Sequence, residues 1–383
     1  MDGLFKFEDC LLKHYIRKEA WLPRCRMRLR TLRKAAKTAA EQRRLKYFTF
    51  CAVGALDVLM LDLEKVIRRS TETRKFDTVY FFDVDSEYVI ETQKRIPGAQ
   101  GFASDFVKAI LVDDPLEPLA INNPDPLEPP KNEENTAAVR EKQRLRETKQ
   151  IFIRSFPFDI LNLDLETYLF KPKEGIPGRV VNAFRKVFEW QRQPGTLPNG
   201  QPYQLNEFTL MFTTRVGPPN LGTDYFEMMR GYVDQNLAEH AMLNPIYLKR
   251  SANRESAAFL EQDFQGFFKL AVPKTIASLL WEQDWEIDHS NGIQMFQFER
   301  GPEAEPYEML HFVMDVRRIN PPRENRPPNQ IPPAARENYR TVVHQLFAAH
   351  PQDVTALLQA AGEASIKAHL EEIKAHREKI YVP

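Results

Sequence analysis

The stretch FDTVYFFDVDSEYVIETQKRI, residues 76–96, decides the fold class of this chain. Its first half is an apolar run of the kind that forms a buried β-strand, and its second half has the spacing of an amphipathic helix. Asp83 and Asp85 stand where the strand would pass into the helix. A strand followed closely by a helix is the repeating unit of an α/β protein.

Four further stretches repeat this strand-then-helix pattern. They begin with LKYFTFCAV at Leu45, GFASDFVKAILV at Gly101, FPFDILNLDLE at Phe156 and EFTLMFTTRV at Glu207. Two later strand-like runs, WEIDHSNGIQMFQFERG and PYEMLHFVMDVRRI, are joined by so few residues that they must pair antiparallel. We therefore predict an α/β fold: a Rossmann-like, seven-stranded, mostly parallel sheet with helices on both faces and a C-terminal antiparallel β-hairpin.

The chain divides into three predicted segments. Residues 1–45 form a basic helical N-terminal extension that is broken near Pro23, and residues 46–319 form the Rossmann-like domain. Within that domain, residues 113–150 are predicted to be an exposed insertion, because a stretch rich in Pro, Asn and Asp leads into a charged helix. Residues 320–383 form a Pro-rich linker and C-terminal helices. The last helix is charged, so we expect it to be exposed and to offer a surface for a protein partner.

The bulk composition excludes some classes of protein. Hydrophobic residues make up 43% of the chain and charged residues 28%, which is ordinary for a folded globular protein. No run of about 18 apolar residues is present, so we expect no membrane span, and the first residues do not resemble a signal peptide. Three cysteines without metal-type spacing indicate reduced thiols, a cytoplasmic location and no metal site.

The net charge of zero hides a strong asymmetry near the N-terminus. Between Lys13 and Lys46 the chain has thirteen Lys or Arg and only two acids, an excess of +11. Such a block indicates a surface for nucleic acid or an acidic partner. The alternative is a basic face that is solvated or packs on the acidic remainder. The candidate nucleic-acid-binding residues are Arg24, Arg26, Arg28, Arg30, Arg33, Lys34 and Lys37.

Ligands of open parallel sheets bind beyond the carboxyl ends of the strands, so the strand-to-helix turns supply the candidate binding residues. Cys51 and Gly54 follow the first strand, where glycine lets the backbone approach a ligand. Asp83 ends the second strand, and its two carboxylate oxygens could accept from two hydroxyl groups. Asp105 follows the third strand. Helix capping is the alternative role for Asp105, and capping or solvation is the alternative for Asp83.

The fourth predicted strand ends in Asn162-Leu163-Asp164-Leu165-Glu166. Side chains two positions apart point to the same face while the chain stays extended, so Asn162 and Asp164 are the candidate catalytic pair. Asp164 could orient an incoming nucleophile or take its proton. It could equally be an acid that stabilises the start of a helix.

A parallel sheet that ends in an antiparallel hairpin resembles the class I S-adenosylmethionine-dependent methyltransferases. The resemblance implies that S-adenosylmethionine binds at Cys51, Gly54, Asp83 and Asp105, with Asp83 on the ribose and Asp105 near the adenine amino group. It also implies that Asn162 and Asp164 line the methyl-transfer site. The first-strand loop departs from the superfamily pattern, because only Gly54 remains of two or three glycines.

A closer resemblance is to the three-Cys-motif partner proteins, bacterial methyltransferase-fold proteins encoded beside mobile or defence-type genes. It covers roughly residues 10–215. The matching residues are Lys13, Tyr15, Trp21, Leu22, Pro23 and Asp164. The segment Thr49 to Gly54 replaces the Asp-Xaa-Phe-Ala-Gly-Pro-Gly pattern of that family.

Three functions are compatible with these observations. The first is an S-adenosylmethionine-dependent methyltransferase, a transferase acting on nucleic acid held by the basic N-terminal helices, in a bacterial defence or mobile-element system. The second is a catalytically inactive relative that serves as a binding or assembly module, which the eroded glycine loop favours. The third is a metal-dependent nuclease that uses Asp83, Asp85 and Asp164 as magnesium ligands.

Overall fold

The computed structural model describes residues 11–36, 38, 41–50, 54–70, 72–114, 132–165, 168–169, 178–217, 223–300, 307–320 and 332–380, without the side chains of 132–136 and 223–225. The strands are β1 (Tyr47–Thr49), β2 (Val79–Asp83), β3 (Gln100–Ala103), β4 (Ile160–Asp164), β5 (Gly195–Thr196), β6 (Pro202–Tyr203), β7 (Glu207–Arg215), β8 (Trp285–Ile287), β9 (Gln294–Arg300), β10 (Tyr307–Arg318) and β11 (Gln352–Asp353).

The α-helices are α1 (Leu11–Ile16), α2 (Leu22–Ala35), α3 (Leu56–Leu63), α4 (Ser86–Arg95), α5 (Phe106–Leu111), α6 (Asn132–Arg154), α7 (Arg179–Trp190), α8 (Thr223–Glu239), α9 (Asn244–Arg250), α10 (Ser256–Gln262), α11 (Phe264–Glu282), α12 (Pro333–Ala348), α13 (Val354–Ala361) and α14 (Glu363–Ile380). A π-helical turn, Arg17–Trp21, joins α1 to α2, and 3₁₀ turns occur at Ala241–Leu243 and His289–Asn291.

The α/β class is confirmed, and the main sheet is mixed. Its strands lie in the order β11-β9-β10-β7-β4-β1-β2-β3, with β8 beside β10. The strands β3, β2, β1, β4 and β7 are mutually parallel, and β10 is antiparallel to β7. β9 and β10 form the predicted antiparallel pair.

The described sheet has nine strands, so it differs from the predicted seven. One extra strand is the two-residue β11. The other arises because the predicted run from Trp285 is divided into β8 and β9 by the turn His289–Asn291. The Asp288 side chain accepts from the Ser290 N–H at 3.0 Å, and Gly292 has a positive φ of 66°, so the chain leaves the sheet there. Both halves still pair with β10.

The two faces of the sheet have separate apolar cores. Alternate side chains of each strand point to opposite faces, so Tyr47 and Phe81 belong to one core while Phe48 and Phe82 belong to the other. Helices α1, α3 and α14 pack together over the first face. Helices α5, α7 and α11 contribute to the core of the second. The sheet is therefore the middle of three layers.

The N-terminal helix continues through Pro23, where we predicted a break. Proline has no backbone N–H to give to the residue four positions earlier. The helix widens instead, and the Leu22 N–H donates to the carbonyl of Arg17, five residues back, which defines the π turn. Trp21 closes that turn and is buried in the first core.

Both terminal segments share a core with the central domain. Trp21 from the N-terminal segment and Leu370 from α14 belong to the same buried cluster as the first face of the sheet. Helix α14 therefore buries one face, including Ile366 and Ile373, although it was predicted to be exposed. The predicted boundaries near residues 45 and 320 thus separate segments of sequence that pack against one another.

The predicted exposed insertion is buried in part. Residues 115–131 lie outside the described residues, whereas the second half of α6 packs into the core. Leu145 is buried within the predicted insertion. Phe152, two residues beyond the predicted boundary, is fully buried, and its ring centroid lies 5.0 Å from that of Phe48. The charged sequence of α6 thus covers the sheet with one apolar side.

The structure also bears on the predictions about membrane spans and cysteine thiols. Within the described ranges, every helix is too short or too polar to cross a membrane. Cys25 is a free thiol, and burial raises its pKa above the ordinary value. Cys10 and Cys51 lie outside the described residues.

Candidate functional site

The candidate crevice lies at the carboxyl end of β1, where the strand order reverses. From β1 the chain builds β2 and β3 on one side, and β4 and β7 on the other. Thr49 on β1 pairs with Phe81 on β2 and with Asn162 on β4. Asp83 and Asp164 each lie two residues beyond those partners, so the two carboxylates flank the end of β1 at one edge of the sheet. Such a switch point is where open α/β sheets bind ligands.

Asp83 is half-buried at the end of β2. Its Oδ1 accepts from the Asp85 N–H at 2.9 Å, and no basic side chain among the described residues forms an ion pair with it. Burial is the main cause that raises the pKa of Asp83, and the neighbouring charge of Asp85 adds to it. The next residue, Val84, is 73% exposed, which is unusual for a large apolar side chain.

The acids after β2 and β3 are helix caps. Asp85 accepts from the N–H groups of Glu87 and Tyr88 at the start of α4. Asp105 accepts from the Lys108 N–H at 3.1 Å at the start of α5, so the capping role left open for it is observed. Ser104 lies between the two strand ends. Its N–H donates to the Asp83 carbonyl at 2.8 Å, and its hydroxyl is buried without a hydrogen-bond partner in the described ranges.

The turn after β1 is described only from Gly54 onward, so the prediction for Cys51 lies outside the described residues. Gly54 is buried, and Ala55 has a left-handed φ of 49°. That conformation favours glycine over alanine. A tight turn at Gly54 and Ala55 therefore precedes α3, although Gly54 is the single glycine in the sequence between β1 and α3.

Asn162 is buried in a polar network on the face toward α3. Its amide nitrogen donates to the Tyr47 hydroxyl and to the Thr49 hydroxyl, both at 3.1 Å. Those two hydroxyls donate to one carboxylate oxygen of Asp57 at 2.7 and 2.8 Å. In the part of the chain that the structure describes, the Oδ1 atom of Asn162 has no hydrogen-bond partner. Asn162 thus has a fixed orientation and one unmet acceptor.

Asp164 is buried and forms an ion pair with Lys13 of α1. Burial alone would raise the pKa of Asp164, but the Lys13 ammonium outweighs it and the pKa falls to about 2. A hydrogen bond from Thr213 also helps to lower this pKa, and the Oδ1 atom of Asp164 has no partner within normal hydrogen-bond distance among the described residues. A carboxylate with so low a pKa is a weak proton acceptor at neutral pH.

Three further residues extend this ion pair across the sheet. Thr213 on β7 pairs in register with Asp164 and with His311 on β10. The Trp21 indole donates to Nε2 of His311 at 2.7 Å, so Nδ1 carries the proton and donates to the Thr213 hydroxyl at 2.7 Å. Burial lowers the pKa of His311 to about 3, which keeps the ring neutral.

The sequence does not predict this network. A lone histidine on a strand, such as His311, is usually structural and indicates no site by itself. Lys13 and Trp21 belong to the basic N-terminal segment, and no local pattern places that segment beside Asp164. The one available signal is that Trp21 is a large apolar residue within a basic stretch, which favours docking of the stretch on the rest of the chain.

Arg24 and Arg28, two of the predicted nucleic-acid-binding residues, are buried against the sheet. Arg24 donates to Asp315 at 2.7 Å and to the carbonyl of Asn291 at 2.5 Å. Arg28 pairs with Glu207 at 2.5 Å. Both arginines therefore follow the alternative interpretation, in which the basic block packs on acidic residues of the rest of the chain.

The other predicted basic residues differ in their surroundings. Arg26 is exposed and forms an ion pair with Glu64. Arg30, Arg33 and Lys34 are exposed on α2, while Lys37 lies outside the described residues. A basic surface on α2 therefore consists of its last two turns.

Comparisons with known proteins give no relative. No protein-family model matches the chain, no curated protein matches it, and no solved structure matches it. We therefore infer the function from the geometry and chemistry of the site.

Proposed function

We propose that this protein is an S-adenosylmethionine-dependent methyltransferase of the Rossmann-like type, with the cofactor at the carboxyl end of β1. The observation that carries the proposal is Asp83, a half-buried carboxylate for which the described residues provide no basic partner, beside the switch point of the parallel strands. In this proposal β8 and β11 are additions to a seven-stranded methyltransferase sheet, in which β9 and β10 form the terminal hairpin.

The residues at this edge fit the chemistry of an adenosine group. The carboxylate of Asp83 can accept from both ribose hydroxyls, and the exposed Val84 offers an apolar surface to a base. Among the described residues, three buried oxygens at the strand ends have no hydrogen-bond partner: Ser104 Oγ, Asn162 Oδ1 and Asp164 Oδ1. Buried polar atoms normally have partners, so these atoms support a ligand that donates hydrogen bonds.

S-adenosylmethionine, when bound, supplies a methyl group on a positively charged sulfur. We assign the chain's own residues a positioning role. Asp164 is held as a carboxylate by Lys13, so it orients a nucleophile by accepting its hydrogen bond and does not take a proton at neutral pH. Asn162 is fixed by Tyr47 and Thr49 and presents its free oxygen on the same face.

Calorimetric titration with S-adenosylmethionine tests the proposal. We expect the wild-type protein to bind, and Asp83→Ala to weaken the affinity about ten-fold or more because hydrogen bonds to a charged group are lost. Asp77→Ala is the matched control, since Asp77 precedes the same strand at its other end and pairs with Arg44. Absence of heat with the wild-type protein at millimolar ligand, or equal effects of the two substitutions, would overturn the proposal.

The second candidate is a methyltransferase-fold binding or assembly module without catalysis. The ion pair between Lys13 and Asp164 favours it, because the N-terminal helix covers the residue that would face the substrate. Its partner surfaces would be the basic end of α2 for nucleic acid and the outer face of α14 for a protein, in a cytoplasmic defence or mobile-element system. Transfer of labelled methyl groups from S-adenosylmethionine to DNA or RNA separates the candidates, since the module predicts none.

The nuclease hypothesis has no support among the described residues. Asp85 caps α4 and Asp164 pairs with Lys13, so both carboxylates already have partners. Within the described ranges, no three His, Cys, Asp or Glu side chains come together in a way that could hold a metal ion.

A further inference from the structure

A second cavity lies away from the strand ends, between helices α8, α11 and α12. Its volume is about 600 Å³, and its lining includes Lys274, Trp281 and Tyr339. A cavity of this volume suits a small molecule. It shares no residue with the crevice at Asp83.

Lys274 is a buried charge that forms no ion pair among the described residues. Only 2% of its surface is exposed, yet it lies in the middle of the mostly apolar helix α11. Its Nζ donates to the Tyr339 hydroxyl at 2.7 Å, and no carboxylate among the described residues forms an ion pair with it. Burying an ammonium without a counter-charge is costly, so lysine at this position needs an explanation beyond packing.

The neighbours of Lys274 orient it without neutralising it. The Tyr339 hydroxyl accepts from Lys274 and donates to Oδ1 of Asn236 at 3.2 Å. Asn236 is itself fixed, because its amide donates to the carbonyl of Tyr232. An ammonium has three N–H groups, so this relay uses one of them and leaves two for a ligand.

The remaining lining has an aromatic wall and residues of both charges. The rings of Trp281 and Tyr339 lie 5.1 Å apart and form a partly exposed wall. Arg336 is exposed at the cavity and has no carboxylate partner among the described residues. Two acids also line the cavity: Glu282 pairs with Arg185 at 2.8 Å, whereas the charge of Glu239 raises the pKa of Lys274 by less than burial lowers it.

We propose that this cavity is a binding site for a small organic anion with a planar ring. The carboxylate or phosphate of the ligand would pair with Lys274 and Arg336. This anion would be the counter-charge for the Lys274 ammonium. The ring would pack on Trp281 and Tyr339, where aromatic surfaces stack. The anionic group would compensate the charge of the Lys274 ammonium. The ring would cover the partly exposed rings of Trp281 and Tyr339.

Calorimetry with four probes tests both parts of the proposal. Benzoate and phenyl phosphate carry a charge and a ring, acetate carries only the charge, and benzyl alcohol carries only the ring. We expect benzoate or phenyl phosphate to bind about ten-fold tighter than acetate and benzyl alcohol, and their ratio tells a carboxylate site from a phosphate site. No binding of either ring-bearing anion at millimolar concentration, or equal binding of benzyl alcohol, would refute the proposal.

Variants on one helix assign the binding to this cavity. Lys274→Met should weaken binding of the ring-bearing anion about ten-fold or more. Lys269→Met is the matched control and should change affinity less than two-fold, since Lys269 pairs with Glu308 and does not line the cavity. If Lys274→Met does not fold, Trp281→Leu is the variant to test. It should remove the difference in affinity between benzoate and acetate. Unchanged affinity in the folded variant would place the anion elsewhere.

Discussion

At the scale of single residues, Lys13 and Asp164 form a buried ion pair in which each charge depends on the other. Removing one partner leaves an uncompensated charge in the core, so Lys13→Met and Asp164→Asn should each lower the free energy of unfolding by about 3–5 kcal/mol. The double substitution should cost less than the sum, because the second change removes the stranded charge. Urea unfolding at pH 7 measures all three variants.

The control for this cycle is Lys94→Met, which breaks the exposed ion pair with Glu91 at 3.2 Å. We expect it to change the free energy of unfolding by less than about 0.5 kcal/mol. Strict additivity of the Lys13 and Asp164 substitutions would contradict the buried pair.

Single residues also show which parts of this site can be predicted from the sequence. Asp83 and Asp164 were predicted at strand ends because an apolar run that meets an acid is a local signal. The contact of Lys13 with Asp164 was not predicted, since the docking of α1 on the sheet depends on packing between distant segments. Lys274 was missed for a different reason: a lysine in an apolar helix looks like a surface residue until its burial is known.

At the scale of elements, α2 divides into a docked half and a free end. Arg24 and Arg28 are held by acids of the sheet, whereas Arg30 and Arg33 are exposed near its C-terminus. If nucleic acid binds the free end, Arg30→Glu with Arg33→Glu should weaken binding about ten-fold or more and reduce the salt slope by about two. Binding of duplex DNA or RNA at several salt concentrations measures this.

The matched control for α2 is the double variant Lys367→Glu with Lys379→Glu, which reverses two exposed charges on α14. It should leave nucleic-acid affinity within about two-fold if the phosphate contacts are local to α2. Equal loss in both double variants would indicate a response to net charge alone and would count against a basic surface on α2.

At the scale of the whole molecule, two buried neutral histidines make stability depend on pH. Burial lowers the pKa of His14 and of His311 to about 3, whereas the unfolded chain takes up a proton at each near the ordinary value of 6.5. The unfolded state therefore binds more protons between these values, and the free energy of unfolding falls as pH drops below about 6.5. Between pH 7 and pH 5 we expect a loss of about 1–2 kcal/mol per histidine.

Urea unfolding at the two pH values checks this dependence. His311→Gln should remove its share of the loss, while His344→Gln, at an exposed position on α12, should leave the loss unchanged. Equal stability of the wild-type protein at pH 7 and pH 5 would contradict neutral buried histidines.

The ion pair between Arg24 and Asp315 also has a consequence for synthesis of the chain. The two residues are 291 positions apart, and the arginine leaves the ribosome first. At the usual speed of translation, about 5–20 residues per second, roughly 15–60 s pass before its partner emerges. During that interval Arg24 lacks its acidic partner, whereas Glu64 and Glu207, the partners of Arg26 and Arg28, emerge earlier. We therefore expect the positive charge of α2 on the nascent chain to be neutralised in steps, with Arg24 open to acidic macromolecules until β10 is complete.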